Sequence, residues 1–223
     1  EVQQVLDNPN IKLSLVVAKA QRISSARHRL LQAGALTLAA GANLVSRRHL
    51  RHFFERVLFH VAGEMSPFHN AGTLPTRHVE LTTANLKQAV LASGSIPMVL
   101  NPVENIAGAG PGLYYDGGVT DYHFDLPFSN EGLVLYPHFY PYLTPGWFDK
   151  ALKWRKANPA HLHNVVLLCP SPSWVQSLPY GKIPDRNDFK LPDSTRINYW
   201  QTVIQRSEEL ADAMHQGKFT LEA

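Results

Sequence analysis

The residues best placed to do chemistry in this chain are Asp116, Gly117 and Gly118, which follow the apolar segment 113–115. A carboxylate at the end of an apolar strand can reach out of the edge of a sheet, and the glycines permit a tight turn there. A partly desolvated carboxylate accepts protons more readily, so Asp116 could act as a general base. Taken alone, Asp-Gly between two apolar arms also fits an ordinary hairpin turn.

A second motif lies about twenty residues earlier. Residues 92–97 are Ala-Ser-Gly-Ser-Ile-Pro, a small-residue helix end that runs through proline into the apolar residues 98–100. In this order and spacing, the two motifs resemble the second half of a patatin-like lipid acyl hydrolase. A further acid usually follows the aspartate in that family, and Asp121 stands at that place. The resemblance is carried by residues 79–127.

The resemblance implies a fold, a reaction and a role for each residue of the motif. The fold is a three-layer α/β/α sandwich of the α/β class, of which this chain supplies the later part. The reaction is hydrolysis of a carboxylic ester in a lipid or other acyl ester, by a serine–aspartate dyad and without a metal or organic cofactor. Asp116 is then the dyad aspartate, and Gly117 and Gly118 support the turn that aims its carboxylate.

The nucleophile of such a dyad is not found among these residues. No serine has glycine both two positions before and two positions after it, so the Gly-x-Ser-x-Gly turn of the family is absent. Ser93 and Ser95 flank Gly94 and are interpreted as part of the helix end. Two explanations stay open: the chain is the C-terminal piece of a longer hydrolase whose N-terminal half is missing, or it is a catalytically inactive relic that binds lipid or protein.

Composition and charge limit the classes of protein to be considered. The 223 residues are 44% hydrophobic and 17% charged, which is ordinary for a globular domain, and the single cysteine, Cys169, excludes an intrachain disulfide. The first residues lack the pattern of a signal peptide, and the apolar run 30–45 is too short and polar to span a bilayer. These features favour a cytoplasmic or peripheral membrane location.

Positive charge is concentrated at the start of the chain. Residues 1–60 hold nine Lys or Arg and three acids, a net excess of six positive charges. Residues 46–62 combine four arginines with apolar residues as a basic amphipathic helix, which is either a surface helix with its apolar stripe in the core or an interfacial helix on anionic lipid. Peripheral membrane contact through the basic N-terminal helices is therefore a candidate interaction. No nucleic-acid partner is expected, since no recognition motif accompanies the charge.

Alternating strands and helices predict an α/β domain. We expect residues 1–223 to form the C-terminal portion of a single patatin-like domain, with an aromatic and proline-rich elaboration at about 136–193 and a C-terminal helix at about 195–216. The remaining predicted helices are 26–44, 46–62 and 84–92. The predicted strands are 11–18, 79–81, 98–100, 113–115, a hairpin arm at 119–123, and core strands at 133–136 and 165–168.

Other residues that could do chemistry have weaker support. His49 and His52 share a helix face and His161 and His163 share a strand face, but neither pair has the further ligands of a metal motif, so no metal site is expected. An aromatic group could line an acyl-chain groove or simply pack a proline-rich loop. Its members are Tyr136, Phe139, Tyr140, Tyr142, Trp147 and Phe148.

Overall fold

The computed structural model describes residues 1–21, 29–63, 66–68, 72, 74–129 and 131–220. The chain divides into two compact units. The first unit comprises Glu1–Val134 and Tyr142–Val165, and the second comprises Leu135–Pro141 and Val166–Ala223.

Helices and strands alternate through the first unit, and helices dominate the second. The α-helices are α1 Val2–Leu6, α2 Arg29–Val45, α3 Leu86–Ser93, α4 Gly118–Asp121, α5 Pro172–Ser177 and α6 Asp193–His215. The strands are β1 Ser14–Ala20, β2 Phe54–His60, β3 Thr76–Glu80, β4 Val103–Glu104, β5 Leu113–Asp116, β6 Val134–Pro137 and β7 Val165–Leu168.

The first unit is built on a mixed sheet of five strands in the order β3-β2-β1-β5-β4. Strands β2 and β3 are parallel, while β1 is antiparallel to both of its neighbours and β4 is antiparallel to β5. The predicted α/β class is confirmed by this mixed sheet and its helices. Predicted strands 11–18 and 113–115 are also confirmed, as β1 and β5.

Successive side chains of a strand point to opposite faces of a sheet, so β1 contributes to two separate cores. On one face, Val17 packs with Ala89 and Ala92 of α3. On the other face, Ala18 packs with Ala39 of α2 and with the aromatic ring of Phe54. The sheet therefore has a helix packed against each of its faces.

The predicted helix 46–62 is wrong. Its first part is a short 3-10 helix, Arg47–His52, and its second part is β2, the strand next to the centre of the sheet. Because both faces of β2 are covered, its apolar residues run on without the alternation that marks a half-exposed strand. The basic amphipathic helix considered for lipid contact is therefore not formed. The preceding helix, 26–44, is confirmed as α2 from residue 29, and its first three residues lie outside the described residues.

Two predicted strands of the motif region are also wrong. Residues 98–100 form a turn, in which the main-chain N–H groups of Val99 and Leu100 bond to the carbonyl oxygen of Ile96. The first strand after α3 is instead β4, which lies at one edge of the sheet. The predicted hairpin arm 119–123 begins as the helical turn α4, so the chain passes from β5 into a helix and does not fold back as a hairpin.

The second unit contains most of a two-stranded sheet and, within its described residues, four helices. Predicted strands 133–136 and 165–168 are found as β6 and β7, but they pair with each other and are only partly buried, so they are not core strands of the main sheet. Residues 170–193, the last part of the predicted proline-rich elaboration, include α5 and the 3-10 helices Pro179–Gly181 and Arg186–Lys190. The predicted C-terminal helix is confirmed as α6.

Candidate functional site

Asp116 is the last residue of β5, where it lies opposite Val17 of the central strand. Its main-chain N–H donates to the carbonyl oxygen of Ser95 over 3.0 Å. This bond joins the end of β5 to the segment that follows α3. The two motifs recognised in the sequence are therefore adjacent in the structure.

The Asp116 carboxylate is half-buried and has one local partner. Its Oδ1 accepts a hydrogen bond of 2.7 Å from the main-chain N–H of Gly118. Its Oδ2 accepts no hydrogen bond from any residue within the described ranges. Desolvation by burial raises the pKa of Asp116, and this effect outweighs the opposing influence of the Gly118 hydrogen bond and the Lys150 ammonium. The arrangement is that of a carboxylate more basic than usual, with one oxygen available to a donor.

The two glycines are needed for space and not for an unusual backbone conformation. Gly117 has φ −60° and ψ −25°, which any residue adopts, and Gly118 does not have a positive φ either. A Cβ atom on Gly117 would lie 2.3 Å from the carbonyl oxygen of Val16 in β1. On Gly118 it would lie 3.0 Å from Oδ1 of Asp116. Only glycine lets the turn approach the central strand this closely.

The two serines of the helix-end motif both donate to carbonyl oxygens of α3. Ser93 Oγ donates to Val90 over 2.8 Å, and Ser95 Oγ donates to Leu91 over 2.8 Å. Ser95 is also 1% exposed, so an ester could not reach its hydroxyl. Both contacts agree with the interpretation of these serines as a helix end.

The helical turn α4, directly after the glycines, is held by two arginines. Arg56 of β2 donates to both carboxylate oxygens of Asp121, from Nε and from Nη2, each over 2.6 Å. Arg47 donates from Nη2 to the carbonyl oxygen of Thr120 over 2.8 Å, and its Nη1 lies 2.5 Å from Asp149 Oδ2. The segment that carries Asp116 is thus fixed on its C-terminal side by one buried charge pair, Arg56–Asp121, and by the hydrogen bond from Arg47 to Thr120.

The sequence did not identify these arginines as supports of the site. Arg56 was assigned to the polar side of an amphipathic helix, whereas its side chain is buried in the sheet. The signal that could have found it is the pattern Phe54, Arg56, Leu58, which puts one charge on a strand face that is otherwise apolar. Such a buried charge requires a buried acid as its partner. Asp121 had already been singled out, as the further acid that follows the aspartate in the resemblance.

Lys150 and Tyr122 lie beside the turn. The Lys150 ammonium lies 3.8 Å from the centre of the Tyr122 ring, and the same ring borders the space above Gly118. This ammonium is a positive charge close enough to lower the pKa of Asp116 in part. The predicted aromatic group is divided, because Tyr136, Phe139 and Tyr140 belong to the second unit and the other three belong to the first.

Within the described ranges, no group of three or more His, Cys, Asp or Glu side chains is arranged to hold a metal ion. Among the helices of those ranges, none combines the length and the apolar character needed to cross a membrane.

Comparison of the chain with family models, with curated proteins and with solved structures gives no match. The patatin-like resemblance therefore depends on the motifs themselves.

Proposed function

We propose that this chain carries the aspartate of a serine–aspartate dyad in a lipid acyl hydrolase with a patatin-like three-layer α/β/α fold. The observation that carries the proposal is the state of Asp116: a half-buried carboxylate at a strand end, with a raised pKa and with Oδ2 unoccupied by any described donor. The bond between Asp116 and Ser95 supports it further, because it joins the two motifs of the resemblance.

The proposed reaction needs a serine from a part of the protein outside these 223 residues. Asp116 accepts the proton of the serine hydroxyl while the serine oxygen attacks the ester carbonyl carbon. Asp116 returns that proton to the alkoxide leaving group, which departs as an alcohol and leaves an acyl-serine. Asp116 then takes a proton from water, the hydroxide attacks the acyl carbon, and the serine oxygen regains the proton as the carboxylic acid is released. The substrate is a lipid or other acyl ester, and no cofactor takes part.

The role of the surrounding structure is to keep this carboxylate in one orientation. Gly117 brings the turn against β1, the Gly118 N–H binds one carboxylate oxygen, and the Arg56–Asp121 pair anchors the chain beyond it. A base that acts without an intervening histidine has to stand within direct hydrogen-bond reach of the serine. Small displacements of Asp116 are therefore expected to be costly for the reaction.

The test uses the protein encoded by the complete reading frame that contains this chain. Asp116→Asn is compared with the wild type in hydrolysis of a chromogenic fatty-acyl ester, and we expect a loss of about a hundredfold or more. Asp125→Asn is the matched control, because Asp125 is on the same segment but pairs with His161; it should retain activity within a few-fold. Full activity in Asp116→Asn would refute the proposal.

The alternative is a catalytically inactive module that binds lipid or protein and keeps the Asp116 turn for structural reasons. The local bond from Gly118 to the carboxylate is compatible with it. The two functions are distinguished by the reading frame and by a serine-reactive fluorophosphonate probe. A Gly-x-Ser-x-Gly sequence whose serine is labelled supports the hydrolase, whereas absence of both supports the binding module.

A further inference from the structure

The outer face of α2 is apolar, although it is the face turned away from the sheet. Five large side chains on it are between 54% and 78% exposed. They are Leu30, Leu31, Leu38, Leu44 and Val45, and we call them the α2 face. At 100° per residue four of them fall within about a quarter of the helix circumference. The α2 face also includes Gly34 and Gly41, where a Cβ atom would have nothing within 4 Å.

The inner face of α2 has the opposite character. Ala35 and Ala39 are buried there together with two polar side chains, Gln32 and Asn43. Gln32 contacts the Tyr115 hydroxyl, and Asn43 donates to Asp149 over 2.7 Å. An ordinary surface helix packs its apolar stripe inward and presents polar residues to water. Here the large apolar residues are the exposed ones, and contiguous exposure of this kind marks an interaction surface.

Positive charge borders the C-terminal end of the α2 face. Arg48 and Arg51 are exposed on the 3-10 helix that directly follows α2. Arg155 donates from Nη2 to the carbonyl oxygen of Asn43 over 2.9 Å, which ties the segment 150–156 to the end of the helix. That segment exposes Lys153, Lys156 and the indole of Trp154, which is 67% exposed.

The two segments that form this surface have no acidic residue. Neither residues 29–51 nor residues 150–156 contain an Asp or Glu. The surface thus combines an uncharged apolar helix face, an exposed tryptophan and a rim of cations. Each part matches a layer of a lipid interface: leucine the acyl boundary, tryptophan the headgroup level, and Lys and Arg the anionic phosphates.

We propose that the α2 face, with Trp154 and this basic rim, binds the surface of an anionic lipid bilayer, with α2 lying in the plane of the interface. The contact differs from the one considered on the sequence, because residues 46–62 form a short 3-10 helix and strand β2 and not an amphipathic helix. The proposed hydrolysis is not needed for this binding, although an enzyme that acts on lipids would gain access to its substrate through it.

A second copy of the chain is a less suitable occupant of the α2 face. In a twofold dimer the same patch contacts itself, and the segments that form it contain no acid to pair with Arg48 and Arg51 of the other copy. Such a self-contact therefore offers these cations no complementary charge. The same charges favour an anionic bilayer.

The test measures sedimentation of the protein encoded by the complete reading frame that contains this chain, with vesicles of ether-linked lipids, which an ester hydrolase cannot cleave. Binding to mixed phosphatidylcholine and phosphatidylglycerol vesicles should exceed binding to phosphatidylcholine alone by about tenfold or more. Arg48→Gln/Arg51→Gln should lower the anionic partition coefficient by about tenfold, with weaker binding at high salt. Leu31→Ser/Leu38→Ser should lower it by at least about tenfold on both vesicles.

Controls come from the other face of the sheet. Val99→Ser/Leu100→Ser removes two exposed apolar side chains after α3, and Lys87→Gln removes an exposed cation of α3. Both should bind like the wild type, and circular dichroism checks that every variant is folded. Equal loss in the control variants would overturn the proposal, as would wild-type binding that does not distinguish anionic from neutral vesicles.

A readout that leaves the α2 face intact uses Trp154. Brominated ether lipids should quench part of the tryptophan emission of the wild type and markedly less in Trp154→Phe, because only a tryptophan at the headgroup level is reached. Equal quenching in both proteins would place the contact elsewhere.

A wild type that is dimeric by light scattering and becomes monomeric in Leu31→Ser/Leu38→Ser would assign the α2 face to a second copy and overturn the lipid proposal.

Discussion

Arg56 and Asp121 form an ion pair with two hydrogen bonds of 2.6 Å, and both residues are 2% exposed. The pair joins strand β2 to the helical turn α4 across 65 residues of sequence. It lies directly beyond the Asp116 turn and fixes the end of that turn against the sheet. Buried charges of this kind are tolerated only when both partners are present.

Removing one member of this pair should be far more damaging than removing both. Asp121→Leu leaves the buried Arg56 guanidinium without its carboxylate and should lower the free energy of unfolding by about 3–5 kcal/mol, whereas Arg56→Met/Asp121→Leu should recover much of that loss. Urea titration measures the difference. Arg77→Gln is the control, because the Arg77–Glu55 pair is largely exposed on the arginine side and should contribute less than about 1 kcal/mol. A double variant as unstable as Asp121→Leu would contradict this account.

Gly117→Ala should destabilise the first unit for steric reasons. The added methyl group would lie 2.3 Å from the carbonyl oxygen of Val16, so the turn and β1 must move apart. We expect a loss of about 1–3 kcal/mol in the free energy of unfolding. Gly34→Ala in α2 is the matched control, since its methyl group meets nothing within 4 Å and should stabilise the helix by about 0.5–1 kcal/mol. Similar effects of the two substitutions would refute the steric argument.

The raised pKa of Asp116 makes the free energy of unfolding depend on pH. Because desolvation raises its pKa in the folded state, the folded chain binds this proton more tightly than the unfolded chain. The stabilisation is complete below the unfolded pKa and is lost as the pH rises through the folded pKa. Asp116→Asn removes the buried charge, so the variant should be more stable than the wild type at pH 7, by a margin that shrinks toward acid pH. Urea titrations at several pH values measure this margin, and a constant margin would contradict the prediction.

In the second unit, Asp188 receives hydrogen bonds from Lys182 over 2.5 Å and from Trp200 over 3.1 Å. Desolvation opposes ionisation, yet the Lys182 and Trp200 hydrogen bonds and the Asp185 main-chain bond prevail and lower the pKa of Asp188. Its stabilisation is therefore present above the unfolded pKa and is lost as the pH falls through the folded pKa. Asp188→Asn should weaken α6 at pH 7 and have little effect at strongly acid pH, as measured by thermal loss of helical circular dichroism. Glu208→Gln, which changes an exposed acid in the middle of α6, should change little at either pH.

The elements that the sequence predicted correctly are those with a strong local pattern. α2 and α6 have long helical stretches, and β1 and β5 are short apolar segments bounded by turn residues. The residues of β2 were assigned to a helix because they lack the alternation of apolar and polar residues that marks a half-exposed strand. That alternation is lacking because both faces of β2 are covered. No turn residue separates β2 from the arginine-rich segment before it, so the two segments were taken as one helix. The turn after Asp116 was expected to be a hairpin because Asp-Gly usually signals one, whereas the chain enters α4.

The sequence by itself determined the α/β class and the position of Asp116 at the end of an apolar strand. Those features depend on residues close together in the chain, whereas the pairing of Asp116 with the helix end at 92–97 came from the resemblance. The tertiary structure alone decided that Gly117 is needed for its approach to Val16, that Arg56 is buried against Asp121, and that the large apolar residues of α2 face outward. Each of these is a contact, or a missing contact, between segments far apart in sequence, and no local pattern of residues records which partners folding brings together.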